Sequence, residues 1–259
     1  MNQQERVAKI LAMLEEQPKI SQEELMSLFA ISKDTARRDI VKLVESGLAE
    51  RYPGGISRPV LKAQIETYSR RLIKDATEKQ RIAQGALQLI PLGGTIYLDV
   101  STTVQFLAAN LPAKNVTVVT NSMDNALAVS PKTGNQVYLL GGFFKADSRL
   151  LAGESVLQQL SQFNFDWAFI GGAGLTEQGV FYSELADCQL KQTVIHNAQK
   201  VCLLIDSSKI NQQSAYKIGF SGIDLIITDR PLGASLMKVL AAEEIAVIIV
   251  KEGDDHDRY

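Results

Sequence analysis

Residues 32–38 place two hydroxyls, a lysine and two adjacent arginines within two helical turns: Ser32-Lys33-Asp34-Thr35-Ala36-Arg37-Arg38, running on into Asp39 and Ile40. At about 100° per residue, Ala36, Ile40, Leu43 and Val44 share one apolar arc. Asp34, Arg38, Lys42 and Glu45 fall on the opposite arc, with Thr35 at its edge and Arg37 on the flank. Lys33, Thr35, Arg37 and Arg38 therefore reach outward near the positive end of a helix. A guanidinium fork at such a place can grip a guanine edge or a phosphate with two hydrogen bonds. Gly47 is expected to stop the helix. Leu48 to Tyr52 reads as a short strand and Pro53-Gly54-Gly55 as its turn, which puts Arg51 within reach of a phosphate backbone.

Two shorter patterns must position that helix. Val7, Ile10, Leu11 and Leu14 recur at helical spacing and predict a helix over residues 3–16, ended by Gln17-Pro18-Lys19. Ser21-Gln22-Glu23-Glu24 is a capping box that opens a second helix, with Leu25, Leu28 and Phe29 on its buried face. Ala30-Ile31-Ser32 makes the turn, and Ser32 is a second N-cap candidate. Three helices and a Gly-Gly hairpin make a winged helix-turn-helix, which lays one helix in a DNA groove and its wing along the flanking backbone. Residues 1–57 are read as this domain, with Lys33, Thr35, Arg37, Arg38, Lys42 and Arg51 as its DNA contacts to double-stranded operator DNA.

Bulk composition neither helps nor opposes that reading. The 259 residues are 46% hydrophobic and 22% charged with a net charge of −2, as in ordinary globular chains. Residues 1–58 hold nine Lys/Arg against nine Asp/Glu, so placement of charge must carry the case. Two cysteines, Cys188 and Cys202, form no framework or metal spacing, and no apolar run reaches membrane-spanning length. The first residues lack the basic-then-apolar order of a signal peptide. A cytoplasmic protein without metal or cofactor is expected.

Residues 58–75 are read as a linker with a hinge at Ser57-Arg58-Pro59. From Arg58 to Arg81 there are seven basic residues against three acidic ones. Beyond a helical run at Ile82–Ile90, short apolar segments alternate with helical ones. Thr95–Leu98, Val116–Val119, Val137–Leu140, Trp167–Ile170, Val201–Ile205, Leu225–Ile227 and Ala246–Val250 read as buried strands. Helices are expected near 102–110, 122–130, 154–162, 184–199 and 233–243. That alternation predicts an α/β unit over residues 76–252 with a mostly parallel sheet covered on both faces, and 253–259 as a tail. Ligands of such sheets bind outside the strands' carboxyl ends. Asp99-Val100-Ser101-Thr102-Thr103, Thr120-Asn121-Ser122, Gly141-Gly142, Gly171-Gly172 and Asp206-Ser207-Ser208-Lys209 all sit there. Ser101, Thr102 and Thr103 could donate to an anionic group, Lys209 could add charge, and Asp99 and Asn121 could hold sugar hydroxyls. The same residue types are also ordinary helix caps. Met123, Phe143 and Phe144 are read as core or interface.

The chain resembles the DeoR family of bacterial transcriptional regulators. In the first domain the resemblance lies in Ser32, Thr35, Arg37, Arg38 and Asp39, followed by Arg51, Gly54 and Gly55. In the second it lies in Asp99, Thr102 and Thr103; Thr120 and Asn121; Gly141 and Gly142; Asp166, Phe169 and Gly171; Asp187 and Lys191; Asp206, Ser208 and Lys209; and Thr228 and Asp229. It implies a sensor domain similar in fold to sugar-phosphate isomerases and CoA transferases. It also implies a phosphorylated sugar as effector, held by Asp99, Ser101, Thr102, Thr103, Thr120, Asn121, Gly142, Gly171, Lys191, Asp206 and Lys209. Two positions depart from the family: Ser101 replaces its usual glycine, and Ala173 stands where some members carry aspartate.

The implied protein is a ligand-controlled regulator, most simply a repressor of a carbohydrate-utilisation operon acting as a homodimer or homotetramer. Two alternatives are an isomerase-like enzyme with a DNA-binding appendage, for which Asp99, Glu184 and Asp206 are the carboxylate candidates, and a DNA-binding protein whose second domain only oligomerises.

Overall fold

The structure, a computed structural model, describes residues 3–17, 19–45, 49–57 and 68–250. The expected helix stop at Gly47, the strand start at Leu48, the hinge at Arg58-Pro59 and the tail from 253 lie outside these residues. The chain forms two compact units, residues 1–64 and 65–259.

In the first unit, α1 (Gln3–Glu16), β1 (Lys19–Ser21), α2 (Gln22–Phe29), α3 (Lys33–Glu45), β2 (Glu50–Tyr52) and β3 (Gly55–Ser57) make a winged helix-turn-helix. Ile10, Leu14, Leu25, Ala36, Ile40, Leu43 and Ile56 form its core. The capping box is present: Glu24 N donates to Ser21 Oγ at 3.1 Å, and Ser21 N donates to Glu24 Oε2 at 2.6 Å. Ala30, at φ 49°, breaks α2 from α3. The wing has a third strand absent from the sequence reading. β1 pairs antiparallel with β3, which also pairs with β2. That pairing explains Gly55, where a β-carbon would lie 2.2 Å from the Ile20 carbonyl oxygen.

The second unit begins with α4 (Tyr68–Ile73) and α5 (Ala76–Leu87). It continues through β4 (Thr95–Leu98), α6 (Thr102–Asn110), β5 (Thr117–Thr120), α7 (Met123–Val129), β6 (Gln136–Leu139), β7 (Phe143–Lys145), β8 (Leu150–Ala152), α8 (Glu154–Leu160) and β9 (Trp167–Ile170). Then come β10 (Gly174–Thr176), β11 (Gly179–Tyr182), α9 (Leu185–His196), β12 (Val201–Leu204), β13 (Tyr216–Ile218), β14 (Leu225–Thr228), α10 (Ala234–Ala242) and β15 (Ala246–Ile249). All seven expected strands join one parallel sheet, ordered β15-β14-β12-β9-β4-β5-β6. Successive side chains alternate between its faces. Ile96, Leu98, Phe169 and Leu204 pack under α5 and α6, while Tyr97, Ala168, Ile170 and Leu203 pack under α8, α9 and α10. Both faces are buried, which is why these strands are apolar runs rather than alternating ones.

Three features differ from the sequence expectation. The last part of the expected linker contains α4, which packs against α6. A small antiparallel sheet, β10-β11-β13, and a β7-β8 hairpin sit beside the main sheet. Phe143 and Phe144 belong to that hairpin and are exposed, at 75% and 45%, so neither is core. No helix among the described residues is long and apolar enough to cross a membrane, and no group of three or more acidic, His or Cys side chains there could hold a metal.

Candidate DNA-reading helix and effector cleft

Helix α3 is set by its cap and its neighbours. Thr35 N donates to Ser32 Oγ at 3.3 Å, the two hydroxyls lie 3.0 Å apart, and Gln22 Nε2 donates to the Lys33 carbonyl at 3.1 Å. Asp39 is fully buried under the helix. Arg6 Nε donates to its Oδ2 at 2.7 Å and Arg6 Nη2 to its Oδ1 at 3.2 Å, which ties α3 to α1. On the opposite side Lys33, Arg37, Arg38 and Lys42 are exposed, as is Arg51 on β2. Thr35 is half-buried and works within the cap. Lys42 Nζ lies 3.4 Å from Gln3 Oε1. Among the described residues, Arg37 and Arg38 have no ion-pair partner, so both forks face outward from one helix.

In the second unit a cleft of about 300 Å³ opens at the carboxyl ends of β4, β5 and β9. Asp99, Ser101, Asn121, Gly171, Lys191 and Lys209 line it. Lys191 Nζ donates to Asp99 Oδ1 at 2.5 Å, and both side chains are buried. Val100 N donates to the same oxygen at 2.7 Å and Gly171 N to Oδ2 at 2.9 Å. Burial alone would lower the Lys191 pKa, but Asp99 and then Asp187 outweigh it and raise the net value. Lys209 Nζ donates to the Gly172 carbonyl at 3.2 Å. Asn121 Oδ1 accepts from Tyr97 Oη at 2.9 Å, and its amide nitrogen donates to the Leu151 carbonyl at 3.0 Å. Asp99 and Asn121, read as sugar-hydroxyl partners, are thus first of all clamps that hold strand ends together.

The profile of the DeoR-like helix-turn-helix domain matches residues 6–59, and that of the DeoR C terminal sensor domain matches residues 74–230. The chain belongs to the DeoR family. Over 99% of its length it is 37% identical to the HTH-type transcriptional repressor GlcR of Bacillus subtilis (strain 168), 100% of which is covered. It is 31% identical to the glycerol-3-phosphate regulon repressor of Escherichia coli (strain K12), over 95% of this chain and 98% of that one. Among solved structures it is similar to ribose 5-phosphate isomerase A from Methanocaldococcus jannaschii, with 18% identity, 53% of this chain and 55% of that chain covered, and a TM-score of 0.38. This DeoR-family chain is a DNA-binding transcriptional regulator, not an enzyme.

Five family-motif positions expected at the effector site do not line the cleft. Thr120 Oγ1 donates to the Leu98 carbonyl at 2.6 Å and accepts from Ser122 N at 3.0 Å, so it splices β5 to β4. Asp206 caps the short 3-10 turn at Ser207–Lys209. Gly142 lets the Ala152 carbonyl approach: a β-carbon there would lie 2.6 Å from that oxygen. Thr102 and Thr103 are buried in the first turn of α6, each with a hydroxyl that has no hydrogen-bond partner among the described residues. Four other wall residues escaped the sequence reading as site members. They are Arg71 on α4, Tyr182 on β11, Asp187 on α9 and Lys145, which pairs with Glu184 across the cleft mouth. Tyr182 is buried and its hydroxyl also lacks a partner. Burial, then Asp99, raises its pKa well above the ordinary tyrosine value, so it remains a donor. Asp187 is raised as well, by burial first, with Lys191 opposing.

Ser101, the departure from the family glycine, has a direct structural counterpart. A β-carbon on Gly171 would lie 2.4 Å from both Cβ and Oγ of Ser101. Gly171→Ala is therefore expected to cost about 1–3 kcal/mol through overpacking. Ser101→Gly in the same chain should restore most of it. Urea unfolding of the two variants checks this, and equal destabilisation with and without Ser101→Gly would contradict the clash.

Proposed function

We propose that this chain represses a carbohydrate-utilisation operon from the cytoplasm, as a homodimer or homotetramer, and that a phosphorylated sugar bound in the cleft controls it. The observation that carries the reading is the cleft itself. Lys191, Lys209, Arg71 and Lys145, together with Asp99, Glu154, Glu184 and Asp187, line a space large enough for a small polar molecule, beside the N-terminal turn of α6. The unsatisfied Tyr182 hydroxyl on its wall supports a ligand that supplies oxygen atoms. The relative named for the glycerol-3-phosphate regulon supports a phosphorylated effector of similar size. Lys33, Thr35, Arg37, Arg38, Lys42 and Arg51 are assigned to operator contact. Ser101, Gly171, Lys191 and Lys209 are assigned to the effector, with Asp99 and Asn121 shaping the site and Thr102 and Thr103 supplying the helix end behind it.

A panel of glucose 6-phosphate, fructose 1-phosphate, ribose 5-phosphate, glycerol 3-phosphate and inorganic phosphate tests the proposal. At least one sugar phosphate should raise the melting temperature of the full-length protein and change its retention of upstream DNA in a mobility-shift assay. A second domain that only oligomerises predicts no shift with any member.

A further inference from the structure

Helix α4 is the first described element of the second unit. Its residue Arg71 lines the cleft together with Lys209, Ser101 and Gly172. The helix packs against α6, which carries Thr102 and Thr103 in its first turn. From the other side Lys79 Nζ of α5, itself buried, donates to the carbonyls of Arg71 and Lys74, both at 2.5 Å. An ammonium on terminal carbonyls clamps a helix at its carboxyl end. Asp75, at φ 52°, then turns the chain into α5. The place of Arg71 on the cleft wall is thus fixed by two neighbouring helices.

Charge agrees with that geometry. Burial pushes the Lys209 ammonium down; Asp206 opposes this, Arg71 and Lys79 push it down further, and Asp75 raises it again. Asp206 Oδ2 lies 3.8 Å from Lys209 Nζ, while its Oδ1 accepts from Ser208. Around Lys209, then, Arg71 and Lys79 stand against Asp206 and Asp75, while the other two lysines of the cleft wall, Lys191 and Lys145, pair with Asp99 and Glu184. The cations at the α4 end suit an anionic group on the ligand.

We propose that Arg71 and Lys209 together hold the anionic group of the effector, so that occupancy restrains α4. This rests on the sugar-phosphate reading above and adds to it a residue and a restrained helix. A guanidinium takes a phosphate with two parallel hydrogen bonds, which fixes direction as well as distance. The loaded state gains a restraint on α4 that the empty state lacks. A differential contact of this kind is what a ligand needs in order to shift an equilibrium.

Full-length wild type and Arg71→Gln are compared with the five probes named above. The probe that stabilises wild type most should bind Arg71→Gln with affinity roughly tenfold lower or worse, as expected for losing a charged hydrogen-bond partner. In wild type the same probe should slow amide hydrogen exchange across residues 68–75. Wild-type affinity in Arg71→Gln overturns the role of Arg71 alone. Unchanged exchange at 68–75 with the probe bound overturns the restraint on α4. No stabilisation of wild type by any probe overturns the sugar-phosphate reading, and this proposal with it. Should Arg71→Gln fail to fold, Arg71→Lys, which keeps the charge but loses the two-bond fork, takes its place, and wild-type affinity there overturns the role of Arg71.

Discussion

Replacing Lys191 with methionine is expected to destabilise the second unit by about 3–5 kcal/mol, the usual cost of leaving one member of a buried ion pair alone. The pair is deeply enclosed: the side chain of Lys191 is 6% exposed and that of Asp99 1%. Without the ammonium, the Asp99 carboxylate keeps, among the described residues, the Val100 and Gly171 amides. Adding Asp99→Asn to Lys191→Met removes the stranded charge and should recover part of the loss, because the penalty comes from an uncompensated ion rather than from the missing pair. Urea unfolding of the full-length protein, followed by tryptophan fluorescence from Trp167 on β9, reads this unit specifically. The pH dependence follows from the raised Lys191 pKa. The ammonium's contribution is complete below about 10.4, the ordinary lysine value, and is lost only as pH rises through the higher folded-state value. The gap between wild type and Lys191→Met should therefore be flat across neutral pH. A gap that closes there, or a variant as stable as wild type, would show that the pair does not anchor the strand ends.

Arg37→Ala combined with Arg38→Ala should weaken operator binding by about 100-fold or more, since each well-made arginine contact contributes roughly 1–3 kcal/mol. Both side chains are exposed on α3 and neither belongs to the core of the first unit, so the melting temperature should hardly move. The two arginines should separate under finer tests. Arg38 faces squarely away from the apolar arc, and its loss should relax base preference. Arg37 sits on the flank, and its loss should weaken binding evenly across sequences and flatten the salt dependence. Mobility-shift titrations at several salt concentrations make the comparison. Operator affinity unchanged in the double variant would move the DNA face off α3.

Much of this was legible in the sequence, for identifiable reasons. The seven strands of the main sheet are buried on both faces, so each is an apolar run bounded by turn residues. The capping box and the Gly-Gly wing are local signals that need no tertiary context. The strands that went unread are three or four residues long and depend on a neighbour. β1 is extended because β3 lies beside it, and β7 and β8 pair only with each other. Functional residues divided along the same line. The strand-end motifs lie at the end of the sheet where the cleft opens, but composition could not say which hydroxyls face the cleft and which splice strands, as Thr120 does. Asp39 carries no local hint of its tie to Arg6, which lies 33 positions earlier. Arg71 stood in a basic stretch read as linker, and only the packing of α4 against α6 reveals its place on the wall.

The strand order of the large sheet also bears on how the chain is made. β4 lies inside the sheet; β5 and β6 are added outward on one side, then β9, β12, β14 and β15 outward on the other, each in the order of synthesis. Every strand that leaves the ribosome therefore meets an open edge already waiting for it, and no earlier pairing has to be undone. The half-sheet β4-β5-β6 can assemble before Trp167 is translated. The cleft, which needs β9, α9 and Lys209, closes only late, after the DNA-reading unit is complete. A nascent chain stalled before residue 185 would thus carry a finished reading head and no complete cleft.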